Sequence, residues 1–300
     1  MKLSTRNQWK EFAENVSGEW DGFGADFTIE GNPIELPESV VPEAFREWEV
    51  KVFDWQIQCP TLAETDRPML LYKLIKLLPT VGCEADAATQ YSIDERTIGG
   101  ANDKLEVFAY HPSGCYVAVW PVEDKGTYRL MELEHCLVNP ENRESRTRIV
   151  QVVRVENAIV KLENIRVSCE QWYGPYRNGE QLGGCAIRDS GFASTDALKI
   201  SEIIGSWKGV CSASSFDNPR TGVIQELVDE KPQRLTRNHL GVTLLPKQLW
   251  CSVEGREHGE SSAEVGWLLD SGCALTSRCV FLKDGKLKKI EICRETEVPE

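Results

Sequence analysis

Val16-Ser17-Gly18-Glu19-Trp20-Asp21-Gly22, with Phe27 beyond it, and Ile203-Ile204-Gly205-Ser206-Trp207-Lys208-Gly209, with Phe216 beyond it, are two copies of one local unit. Their tryptophans stand 187 residues apart. That interval is too long for a solenoid repeat and suits two whole structural units. In Gly-x-Trp-x-Gly the glycines let the backbone turn sharply and approach its neighbours closely. The indole then fills the base of a β-structure as a large apolar plug. Such a plug calls for a cation on its outer face. The alternation of the last strand of each half nominates Arg166, in line with Val160 and Leu162, and Arg294, in line with Ile290 and Ile292.

Working outward, each copy follows a segment with helical spacing. Residues 4–15 carry Trp9, Phe12, Ala13 and Val16 on one face, with Ser4 as cap. Residues 196–204 carry Leu198, Ile200, Ile203 and Ile204, with Thr195 or Asp196 as cap. Almost everything else alternates with a period of two. Residues 104–110, 116–120, 148–155, 158–167, 222–228, 242–253, 264–269 and 274–281 read as strands. Glu156-Asn157 and Asp284-Gly285 read as hairpin turns. Many short strands with few helices between them predict a sandwich or barrel rather than a βαβ fold. The expected fold is all-β: two tandem antiparallel barrels, each preceded by a short helix. The first spans residues 1–174 and the second 195–300, with a glycine-rich connection at 175–194.

The chain has 300 residues, of which 41% are hydrophobic and 27% charged, with a net charge of −13. That length favours two domains. The acidic balance argues against nucleic acid as a partner. No apolar run reaches the roughly 20 residues of a membrane span. Residues 1–10 lack a signal-peptide pattern, so the setting is cytosolic or a targeting segment has been trimmed. The eleven cysteines show no CxxC pair and read as mostly buried free thiols.

The candidate chemistry is sparse. The four histidines, His111, His135, His239 and His258, form no metal-type pair, so no metal site is expected. Cys279 beside Arg278 and Cys293 beside Arg294 are candidate nucleophiles, but strand neighbours point to opposite faces. Gly183-Gly184 lacks the Lys-Ser/Thr of a phosphate loop. Arg177, Arg188 and Asp189 either line a groove between the halves or pin the connection as an ion pair. Trp55, Trp120, Trp250 and Trp267 fall on expected strands, where some rings line a cavity suited to a planar apolar ligand. Arg278 is placed to hold a carboxylate inside it. A barrel filled by its own side chains is the equal alternative. No catalytic residue and no cofactor are assigned.

The glycine-flanked Trp near the start and the Arg on the last strand resemble the lipocalin and wider calycin signature. Four longer stretches resemble the plant and cyanobacterial family called domain of unknown function 3598. They are Leu77-Leu78-Pro79-Thr80-Val81-Gly82-Cys83-Glu84-Ala85-Asp86, Trp172-Tyr173-Gly174-Pro175-Tyr176-Arg177-Asn178-Gly179-Glu180, Gly183-Gly184-Cys185-Ala186-Ile187-Arg188-Asp189 and Leu244-Leu245-Pro246-Lys247-Gln248-Leu249-Trp250-Cys251. The resemblance implies tandem lipocalin-like barrels and, in plants, the chloroplast stroma, although no transit peptide is visible. It brings no assigned reaction. The expected function is a soluble, non-enzymatic binder of a small hydrophobic ligand such as a lipid, pigment or tetrapyrrole. The alternatives are a bilin-lyase-like or isomerase-like enzyme and a protein-interaction scaffold. Oligomeric state is left open.

Overall fold

The computed structural model describes residues 2–79, 89–100, 104–157, 159–180, 191–216, 222–256 and 259–298. Helix α1 (Lys2–Val16) opens the chain. Trp9, Phe12, Ala13 and Val16 of α1 are buried, as their spacing requires. They pack on aromatic rings of the sheet behind them, with Trp9 and Tyr110 centroids 4.9 Å apart in an edge-on arrangement. The Ser4 cap falls among side chains outside the described set.

The first half supplies β1 (Glu19–Phe27), a short helix α2 (Glu43–Glu47), β2 (Trp55–Gln58), β3 (Thr61–Ala63), β4 (Leu70–Leu77), β5 (Gln90–Ile98), β6 (Val107–Tyr110), β7 (Tyr116–Asp124), β8 (Tyr128–Val138), β9 (Ser145–Glu156) and β10 (Ile159–Gly174). The second half supplies β11 (Gly205–Ser215), β12 (Val223–Glu226), β13 (Val228–Asp229), β14 (Gln233–Arg237), β15 (Val242–Leu245), β16 (Leu249–Glu254), β17 (Ser261–Leu268), β18 (Cys273–Phe281) and β19 (Leu287–Glu297). The first sheet runs β12-β6-β7-β8-β9-β10-β1-β2-β4-β3, with β5 on β4. The second runs β13-β11-β19-β18-β17-β16-β15, with β14 on β11.

Several expectations change here. Two closed tandem barrels were expected. Instead, both sheets are open, and neither closes on itself through strand pairing among the described residues. The sheets lie face to face over a shared core. Phe27, Val117, Leu133, Ile149 and Ile165 of the first sheet join Leu249, Val265, Leu275, Cys279, Phe281 and Ile290 of the second in one buried cluster. A face buried against another sheet needs no closure to exclude water. Strand β12 belongs to the C-terminal half in sequence, yet it pairs with β6 of the first sheet, in parallel.

The helix expected at 196–204 is a single 3-10 turn, Ile200–Glu202. The segment is short and rich in β-branched isoleucine, and the Leu198 amide bonds the Leu245 carbonyl at 3.2 Å instead of a helical partner. The strand expected at 242–253 is two strands, β15 and β16, because Pro246 cannot continue a ladder. The connection at 175–194 is described over 175–180 and 191–194. The stretch at 183–189 lies outside the described residues. So does most of 77–86.

The repeated unit is repeated in three dimensions. Trp20 Nε1 donates to the Val16 carbonyl at 3.0 Å, and Trp207 Nε1 donates to the Ile203 carbonyl at 3.0 Å. Both indoles are about 1% exposed. Gly22 pairs with Glu170 on β10, and Gly209 pairs with Glu295 on β19. A Cβ on Gly22 would stand 1.9 Å from the Cys169 carbonyl oxygen, so glycine is obligatory there.

The cations over the plugs are not the expected ones. Arg146 of β9 lies over Trp20 at 4.1 Å and pairs with Glu170 at 2.6 Å. Arg237 of β14 lies over Trp207 at 5.6 Å and pairs with Glu295 at 2.6 Å. Arg166 is on the opposite face from Val160 and Leu162, because a register shift between Leu162 and Asn164 reverses the alternation. Its partner is Glu132. Arg294 keeps the face of Ile290 and Ile292 but is half exposed and bonds Glu141 at 3.1 Å. The last strand of each half therefore gives the anion of the plug, not its cation.

Candidate functional site

The face of the first sheet that packs on α1 carries buried charge, where the sequence left an apolar cavity and a self-filled barrel as equal alternatives. Glu134, 2% exposed, accepts from Tyr72 Oη at 2.5 Å, Tyr116 Oη at 2.9 Å and Trp120 Nε1 at 3.3 Å. Arg96 and Arg148 each stand 3.5 Å from it. Burial pushes the Glu134 carboxyl up, but the two guanidiniums and the tyrosine hydroxyls more than offset this and hold it below its ordinary value. Arg148 and Arg146 share Glu170. This buried charge network lies beside the mouth that Arg96, Trp120 and Glu132 line.

The residues nominated as ligand contacts do not converge. Trp120 reaches a mouth cavity of about 610 Å3, beneath the Arg96 guanidinium at 5.1 Å. Trp55 is buried between the stacked Tyr91 ring at 4.8 Å and Lys76 at 5.0 Å. Trp250 is fully buried against Gly266, where a Cβ would stand 2.0 Å from the ring, and under Arg237 at 5.5 Å. Arg278 lies across the ladder from Glu264 and Glu291. Trp267 faces a different space altogether.

The buried thiols among the described residues are held in the protonated form. Cys211 and Cys293 form a disulfide, which corrects both the reading of Cys293 as a free nucleophile and the expectation for Cys211. Burial pushes the Cys279 thiol well above its ordinary value and the Cys251 and Cys169 thiols up to about 12. Cys83 and Cys185 lie outside the described residues, as do His258, Gly183, Gly184, Arg188 and Asp189. Among the described residues no cluster has the ligands of a metal site. His111 bonds Ser113 at 2.8 Å, and His135 is sealed between the sheets. The Arg177 amide donates to the Glu19 carboxylate.

Trp267 lines a cleft of about 590 Å3 between the two sheets. Phe23 and Cys169 come from the first sheet, Trp267 from the second, and Phe192 from the segment that joins them. Tyr173, Gln171, Gln248, Lys247, Asp270 and Asp21 add polar groups to the same cleft. Phe192 is held in place by Asp54, whose carboxylate accepts from the Gly191 amide and, at 3.1 Å, from the Ala193 amide. Phe192 also sits 6.4 Å from the Phe27 ring. Lys247 lines the cleft, and its positive charge acts on Asp54 and Cys169. Arg146 lines the cleft too, but its guanidinium is engaged on the opposite face by Trp20 and Glu170.

Pro246, Lys247 and Gln248 connect β15 to β16, with Lys247 and Gln248 at the centre of a turn closed by the Leu249 amide on the Pro246 carbonyl at 3.3 Å. Their φ values are 58° and 62°. Hairpin tips of this shape favour Asn-Gly, because left-handed backbone strains an ordinary side chain by about 1–3 kcal/mol. Substituting Lys247→Asn with Gln248→Gly is therefore expected to raise stability by about 1 kcal/mol in urea melts. A decrease would show that the tip is unstrained.

Trp267 is among the rings the sequence nominates, whereas Lys247, Asp21, Phe23 and Phe192 are not marked there as a group. The signal available was a Lys-Gln pair after Pro246, at a place where turn chemistry calls for Asn-Gly. Nothing in the sequence marked Phe23 and Phe192 as neighbours of Trp267.

No family profile matches the chain, and no curated protein sequence matches it. Among solved structures, a protein of unknown function from the DUF3598 family of Nostoc punctiforme shares the fold at a TM-score of 0.57 and 14% identity. The match covers 97% of this chain and 99% of that one. MucB in complex with MucA(peri) is a second match at a TM-score of 0.21 and 10% identity, too distant to carry an argument.

Proposed function

We propose that this chain, folded as a DUF3598-family protein is, binds a small amphipathic molecule in the cleft between its two sheets. Each half is then a calycin-like sheet opened to share a core, and the ligand space lies between the halves rather than inside either. One observation carries this reading. Trp267, Phe23 and Phe192 meet Lys247 in one concavity, with the lysine held there by strained backbone. A concave, largely apolar space with a few convergent polar groups is the usual form of a small-molecule site. Strain retained at such a place is a mark of use. The apolar floor suits a planar or chain-like body, and Lys247 suits an acidic group at its end. The protonated state of the buried thiols weighs against a thiol-based lyase.

The test is titration of the purified full chain with anilinonaphthalene sulfonate, a planar apolar anion. Saturable binding is expected, weakened about tenfold by Lys247→Ala or Trp267→Ala. Lys104→Ala, at the mouth of the first sheet, should leave it unchanged. Cleft variants that stay folded in thermal melts and bind as well as the parent would refute the cleft as the site.

A further inference from the structure

We infer that the cleft takes up a weak organic acid together with one proton, the ligand's anion facing Lys247 and the proton residing on Asp21. This rests on the cleft being the ligand site. Asp21 is about 5% exposed and lines the cleft beside Phe23, on the face of β1 that looks toward the second sheet. Its surroundings carry both signs, and the nearby Glu170 is paired with Arg146 and Arg148. Glu19 shares its strand and Glu170 stands on β10, while Gln58 of β2 bonds its carboxyl. Arg177, beyond β10, is the cation acting on it. Across the cleft stand Lys247, Gln248 and Asp270. Burial first, and Glu19 next, push the Asp21 carboxyl up to about 6.

The consequence is electrostatic. An acid anion entering this space meets an ionised Asp21 at neutral pH, and like charges in a partly dry cleft repel. Below about pH 6 Asp21 is a neutral acid. It then no longer repels the anion and can donate a hydrogen bond to it. At neutral pH the same ligand binds only as far as a proton from solvent comes with it. A neutral ligand of the same shape carries no such coupling. The proton is taken from water and returned on release, so no other reactant is needed.

The experiment compares 2-naphthoate with the neutral 2-naphthalenemethanol, by calorimetry at pH 5.0 and 7.5, on the parent chain and on Asp21→Asn. The parent should bind naphthoate about tenfold tighter at the lower pH, with proton uptake near one at pH 7. Asp21→Asn should bind it with little pH dependence, and the alcohol should bind both chains equally at both pH values. If Lys247→Ala and Trp267→Ala leave both ligands unaffected, the cleft reading fails and this inference with it. If both ligands bind in the cleft but the naphthoate slope is absent, or survives Asp21→Asn, the proton coupling alone is wrong.

Discussion

Arg146→Ala is expected to lower the stability of the fold by about 3–5 kcal/mol, and Arg166→Ala by less than about 1. Arg146 is 1% exposed, covers the Trp20 ring and pairs with Glu170. Removing it leaves the Glu170 carboxylate buried, with Arg148 as its remaining ion-pair partner. Arg166 has a side chain 34% exposed, and its ion pair with Glu132 is partly screened by water. Urea midpoints of the two variants decide the matter. A larger loss for Arg166 would restore the last-strand arginine as the cation of the plug. The second half allows the same comparison, with Arg237 buried over Trp207 and Arg294 half exposed beside Glu141.

Acid should weaken the union of the two sheets through His135. The ring is fully buried, and its Nδ1 lies 2.8 Å from Ser277 Oγ of the opposite sheet. Beside it, Gln151 reaches across to the carbonyls of Ser252 and Glu264 at 3.2 and 3.3 Å. Burial lowers the imidazole from 6.5 to about 3. Because the folded value is the lower one, the unfolded chain takes up a proton first as pH falls. The neutral imidazole costs nothing above pH 6.5, and stability is lost progressively from there down to about pH 3. The full loss is roughly 4–5 kcal/mol. Asp21 shifts the opposite way and stabilises the folded chain as pH falls below 6. The readout is therefore the difference between the parent and His135→Asn across pH 7.5 to 4. The parent should lose more, and equal slopes would contradict a neutral buried ring.

The elements themselves were largely legible. Residues 116–120 form a buried strand, Glu156-Asn157 is a tight turn with Asn157 at φ 50°, and Trp9, Phe12 and Val16 turn one face inward. Local sequence carries these outcomes because a period of two or 3.6 decides which side chains share a face. The doubled Gly-x-Trp-x-Gly was legible for the same reason. Gly22 is forced by the close approach of the Cys169 carbonyl on β10, and Gly18 and Gly205 by their positive φ.

What sequence could not carry was anything set by pairing across strands. The Leu162/Asn164 shift moves Arg166 to the other face, and no residue preference announces it. The candidate site was hidden more deeply, since Phe23, Phe192, Lys247 and Trp267 lie on four segments far apart in the chain. By itself, then, the sequence determined an all-β chain with two buried tryptophan units. Tertiary structure decided that the sheets stay open, which arginine covers each indole, and that the cleft lies between the halves. Those outcomes depend on which faces find each other to exclude water, and that is a property of the assembled surfaces rather than of any one stretch.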